Sequence, residues 1–203
     1  MKKFLVLTIA LVLMSTSAFA ALSGSSHDFT TGAINFDTEI CAPCHTPHNS
    51  YAPSAGGPLW AHTPSADTFT EYTSATFQGG TIAISGISLA CLSCHDGTVA
   101  LDSYIGGAGT AGTLAAGLTN LTQDLTNDHP VSFNYDTSAT ADAGIHDRAT
   151  ALTNSGSLLV FYGTNSDQME CATCHDVHNA ATVPGLLRYS NAASAMCLDC
   201  HNK

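Results

Sequence analysis

The sequence predicts a mostly irregular chain with short helices, a few short strands and a core supplied by something other than its own side chains. Three observations lead there. The 203 residues include 8 cysteines and 10 histidines, and the cysteines recur in one fixed pattern. Large aliphatic residues are scarce. The longest stretch between cysteine groups, Asp96 to Glu170, is rich in Gly, Ala and Thr, a composition of loops rather than long regular elements.

In chain order, residues 1–20 are expected to be an export signal. Met1-Lys2-Lys3 is a basic start, Phe4 to Met14 is apolar, and Ala18-Phe19-Ala20 is a small-x-small cleavage site. The apolar run is too short to span a membrane, and no later segment is long enough. Cleavage leaves 21–203 as a single domain, in which only Arg148, Arg188 and Lys203 oppose 16 acidic residues, a formal charge of −13. Three basic residues cannot build the face that a phosphate-tracking protein needs, so a nucleic-acid partner is excluded. Leu, Ile, Val and Phe are 33 of those 183 residues. That is about 18%, below the roughly 20% at which a highly charged chain is usually disordered. Either the chain is disordered or another component fills its core.

The cysteines favour the second answer. They form Cys41-Ala42-Pro43-Cys44-His45, Cys91-Leu92-Ser93-Cys94-His95, Cys171-Ala172-Thr173-Cys174-His175 and Cys197-Leu198-Asp199-Cys200-His201. C-x-x-C-H is the attachment signature of c-type haem. The two thiols add to the two vinyl groups of one haem, and the next residue offers an imidazole to the iron. Four-cysteine zinc sites or a disulfide framework need no histidine after every second cysteine. Four covalent haems in so short a chain would themselves be the core, with His45, His95, His175 and His201 as proximal ligands.

Each iron then needs a second ligand. Outside the motifs stand His27, His48, His62, His129, His146 and His178. Met196 abuts Cys197 and Met169 lies two residues before Cys171, so both are poorly placed to reach the far face of their own haem. Six histidines for four positions predict bis-histidine, low-spin, low-potential haems with no open iron, and therefore electron transfer rather than catalysis. His48 and His178 each lie three residues after a proximal histidine, too close to reach round the same haem but able to ligate a neighbouring one. His129 precedes Pro130, which holds it extended, ahead of the alternating Val131, Phe133 and Tyr135. His27 sits on an N-terminal arm 14 positions before Cys41, long enough to reach a distant haem or a neighbouring molecule. His62 is a reserve ligand, and His146, in a polar run, is expected to face solvent.

The opening C-x-x-C-H-x-x-H-N recurs at Cys41 and Cys171. Each is followed by a Pro-Leu step and then by Cys-Leu-x-Cys-His, which suggests two related two-haem modules, about 27–102 and 127–203. Val131 to Tyr135 and Leu158 to Tyr162 are the best strand candidates, with Ile82-Ala83-Ile84 weaker. Asn191 is a candidate cap for a helix over Ala192 to Cys200. Asn120-Leu121-Thr122 matches a glycosylation triplet.

These motifs resemble those of the doubled C-x-x-C-H multihaem cytochromes, together with Pro58-Leu59-Trp60, His95-Asp96-Gly97-Thr98-Val99-Ala100-Leu101-Asp102, Asn127-Asp128-His129-Pro130-Val131-Ser132-Phe133 and the closing Cys200-His201-Asn202-Lys203. Within that family the chain resembles the tetrahaem cytochromes that polymerise into extracellular filaments in metal-reducing bacteria. The resemblance implies little regular structure, haems in alternating parallel and T-shaped pairs, and distal roles for His27, His48, His129 and His178. It also implies one axial histidine donated across the protomer boundary, a role for which the long arm favours His27. His62 stands where relatives often carry arginine. The expected partners are copies of the chain, other cytochromes or an extracellular electron acceptor, with the cell surface or surroundings as location. A monomeric periplasmic shuttle is the alternative. A multihaem reductase with an open haem would need a positive pocket that two arginines hardly supply.

Overall fold

The computed structural model describes residues 22–32, 34–51, 59–80, 82–179 and 183–202. The expected signal 1–20, Pro58 and Lys203 lie outside them. Regular structure is sparse. In order come α1 (Gly86–His95), β1 (Phe133–Asn134), α2 (Tyr135–Ala141), α3 (Arg148–Asn154), β2 (Gln168–Met169), α4 (Cys171–Cys174) and α5 (Ala195–Cys200). Single 3-10 turns occupy Val177–Asn179, Pro184–Leu186 and Ala192–Ser194. The fold is the irregular one expected. Among the described residues no helix is long and apolar enough to cross a membrane.

Local contacts fix where three of the helices end or begin. At the end of α1, Gly97 adopts φ +74°, and a Cβ there would lie 2.2 Å from the Asn120 amide. Glycine thus serves both the left-handed exit and the close approach. Asn134 caps α2 by accepting from the Thr137 N–H at 2.8 Å, and Asp147 caps α3 by accepting from the Thr150 N–H at 3.0 Å.

Strands are shorter than the sequence suggests. β1 and β2 pair antiparallel, Phe133 opposite Met169 and Asn134 opposite Gln168. The expected strand Val131 to Tyr135 shrinks to two residues. Ser132 takes φ 58° on one side, and on the other the Asn134 cap turns Tyr135 into a helix. Leu158 to Tyr162 forms no strand; only Tyr162 makes an isolated bridge, to Gln168. Ile82 to Ile84 forms none either. The expected helix Ala192 to Cys200 is broken at Ala193 and Ser194, whose φ values are 54° and 62°. The N-cap of α5 is Ser194 rather than Asn191, though the Asn191 side chain accepts from the Met196 N–H at 3.0 Å.

One apolar cluster holds Ile82, Phe133, Tyr135, Ala151, Leu159, Phe161, Met169, Met196 and Cys200. Both methionines outside the signal are therefore core residues. Near the N-terminus, Phe29 stacks on Phe36 at 4.9 Å between centroids, and Phe36 leans on Tyr104. α1 packs against α4, which brings the second and third cysteine motifs together, and α3 packs against α5, which carries the fourth.

Candidate haem sites

A single helical turn builds every motif. The amide of the motif histidine donates to the carbonyl of the first cysteine in three of them: His45 to Cys41 at 2.8 Å, His175 to Cys171 at 3.1 Å and His201 to Cys197 at 2.8 Å. In the second motif the turn is the end of α1. Positions i, i+3 and i+4 of one turn share a face, so both sulfurs and the imidazole point the same way. All eight cysteines are free thiols. Burial pushes Cys44 and Cys174 up to about 11 and Cys94 to about 12.

After two of these turns the chain repeats one ladder. Thr46 N–H donates to Leu59 O at 2.8 Å, and Ala61 N–H to Cys44 O at 2.9 Å. In matching places Asp176 N–H donates to Leu186 O at 2.7 Å, and Arg188 N–H to Cys174 O at 2.9 Å. Isolated bridges join His45 to Trp60 and His175 to Leu187.

Histidine rings meet in pairs. His27 lies 5.9 Å from His95, His45 6.1 Å from His178, and His129 6.4 Å from His201, all between centroids. Each pair joins one motif histidine to one from outside its motif. Two imidazoles on opposite faces of one metal ion, with metal–nitrogen bonds of about 2 Å, place their centroids roughly 6 Å apart. All three spacings fit that arrangement.

Hydrogen bonds orient the rings. His95 Nδ1 is 2.7 Å from Thr119 O, His175 Nδ1 2.7 Å from Gly185 O, and His129 Nδ1 2.9 Å from Pro130 O. A carbonyl at Nδ1 fixes the tautomer that leaves Nε2 as the metal ligand. His27 differs: its Nδ1 is buried without a partner among the described residues. Burial first, then neighbouring His95, pulls its imidazole down to about 4. A neutral, buried imidazole with an unpartnered nitrogen beside a second histidine suits a metal-bound group. Trp60, edge-on to His45 at 6.0 Å, likewise has a buried indole N–H without an acceptor among the described residues, and a haem carboxylate is an acceptor. The residues fit haem.

The other histidines behave differently. His62 is 2% exposed, with Nδ1 3.1 Å from Thr63 O and Nε2 3.1 Å from Ala100 O. Both nitrogens face the backbone, so the reserve ligand is engaged as a packing residue, 3.4 Å from Cys94 Sγ. His146 is half-buried rather than solvent-facing. His48 is exposed, its neighbourhood held by Thr46 Oγ1 donating to His48 O at 2.9 Å. The expected protomer-crossing arm of His27 ends against His95 of its own chain. Among the described residues no histidine ring stacks on His175.

Residues 164–203 match the family model of the doubled CXXCH motif. That segment holds the third and fourth motifs, and the match supports a multihaem c-type cytochrome with covalently attached haem and a role in electron transfer. No curated protein matches the chain.

Two features escape the sequence. Trp60 reads as part of a Pro-Leu-Trp phrase, with nothing to place it on His45. Glu170 is buried at 5% exposure between two motifs. Its one sequence signal is an acidic residue directly before C-x-x-C, where the other motifs have Ile40, Ala90 and Met196.

Proposed function

We propose that the chain is an exported tetrahaem c-type cytochrome that passes electrons through closely spaced bis-histidine haems and assembles into an extracellular homopolymer. Haem supplies a one-electron ferric–ferrous couple. The chain supplies attachment through the eight cysteines and axial imidazoles: His95 with His27, His45 with His178, and His201 with His129. His175 and His48 complete the set.

The observation that carries the polymer reading is what the three pairs leave over. His175 is exposed and held at Nδ1 by Gly185 O, and His48 is exposed. We assign His48 of one protomer to the haem of His175 in the next, and His27 to its own chain. A donor on one surface and an acceptor on another make a heterologous contact, which grows as an open filament when its rotation does not close. A coordinate bond also fixes register against the repulsion of a formal charge of −13.

The test compares His48→Ala with His27→Ala in the haem-loaded protein. His48→Ala is expected to abolish filaments in negative-stain images and leave monomers in which one haem of four turns high-spin. His27→Ala is expected to turn one haem high-spin while filaments persist. Filaments surviving His48→Ala would remove that residue from the bridge and favour a monomeric or differently joined carrier.

A further inference from the structure

Between the second and third motifs lies a carboxylate without a cation. Glu170 is the N-cap of α4, directly before Cys171, and its carboxylate reaches across to α1. Oε2 accepts from the Ser88 N–H at 3.1 Å, from the Ser88 hydroxyl in a short contact, and from the Ser132 hydroxyl at 3.0 Å. Ser88 in turn accepts from the Cys171 N–H at 3.1 Å. The Cys91 and Cys171 thiols lie near each other beside it, close enough to influence one another's ionisation. Among the described residues no Lys, Arg or His forms an ion pair with Glu170. Arg148 pairs with Asp136, and Arg188 with Asp176.

Neutral hydroxyl and amide donors stabilise a buried carboxylate without cancelling its charge. In a low-dielectric surrounding that charge acts at long range. Reducing a haem removes one positive charge from its iron, so a nearby fixed negative charge favours the ferric form and lowers the reduction potential. The helix-to-helix contact brings the first cysteines of two motifs together at this carboxylate, so both attached haems would feel it.

We infer that Glu170, clasped by Ser88 and Ser132 where Cys91 meets Cys171, is the residue that sets the reduction potentials of the two haems joined there. This inference rests on the haem reading above. The step involved is transfer of one electron from a ferrous to a ferric iron, with no bond made or broken. Glu170 would act through its charge and not as a ligand, as a positioning and tuning residue.

The experiment is a spectroelectrochemical titration at alkaline pH, where the carboxylate is ionised, on haem-loaded wild type, Glu170→Gln and Glu170→Asp. The Gln variant is expected to move two of the four one-electron steps to higher potential. The Asp variant, which keeps the charge, is expected to stay near wild type. A Gln curve superimposed on wild type, or an Asp curve displaced as far as the Gln curve, overturns the inference. If the Gln variant does not accumulate, the wild type answers alone. The chain has three glutamates, Glu39, Glu71 and Glu170, and of these Glu39 is exposed, Glu71 half-buried and Glu170 buried. With ¹³C-labelled glutamate, a buried carboxylate band should shift in the infrared difference spectrum on haem reduction, and a band blind to reduction overturns the proposal. Four haems by mass and a low-spin spectrum test the cytochrome reading separately, so the two failures are distinguishable.

Discussion

Leu59 and Leu186 both adopt the left-handed conformation, with φ of 60° and 56°, and both accept from the residue after a motif histidine. A leucine is rarely held there, because its Cβ crowds the backbone. The same strain at both members of a repeated phrase shows that the Pro-Leu steps are one device used twice, each returning the chain to its cysteine turn. Sequence spacing made the motif histidines legible, since one helical turn fixes where they point. The state of His62 was not legible, because the Thr63 and Ala100 carbonyls that engage it come from a fold the local sequence does not encode. His62→Ala is expected to leave the visible spectrum low-spin and unchanged. Stranding the carbonyl that its single N–H serves should lower stability by about 1–3 kcal/mol, read as a loss in denaturant midpoint. A new high-spin signal would return His62 to the ligand set.

At the scale of elements, the short helices depend on their caps more than on length, since pieces of this size are marginal alone. Asn134 shows how much one residue decides: its side chain accepts from Thr137 and donates to Asp167 Oδ2 at 2.8 Å. It ends β1 and starts α2. Asn134→Ala should cost about 1 kcal/mol, measurable as a lowered Tm with the haem spectrum intact. The strand expected over Val131 to Tyr135 reads well as an alternating pattern, but an Asn cap and a left-handed Ser132 override alternation. The break at Ala193 and Ser194 likewise follows no propensity rule, since alanine favours helix. Asn191 reaching forward to the Met196 amide fixes that corner.

Across the molecule, the aliphatic deficit and the geometry agree. Among the described residues the one sizeable apolar cluster draws on residues from Ile82 to Cys200 and includes a cysteine of the fourth motif. Near the N-terminus the packing is a few stacked rings. A mature chain with all eight cysteines changed to serine, and so without attached haem, is expected to show a disordered far-UV spectrum and no cooperative thermal transition. A cooperative transition would mean that the aromatic cluster suffices by itself. The location of this core was not legible in the sequence, because it joins segments more than a hundred residues apart.

The meeting of Cys91 and Cys171 also bears on how such a chain is made. The two thiols come from positions 80 residues apart and touch only once α1 packs on α4. In an oxidising compartment, adjacent thiols readily become a disulfide, and a disulfide cannot add to a vinyl group. On the proposed export and haem attachment, a chain threaded out from its N-terminus would take haem at the second motif before the third motif folds against it. On that proposal the contact implies an order of assembly: cofactor first, tertiary structure second.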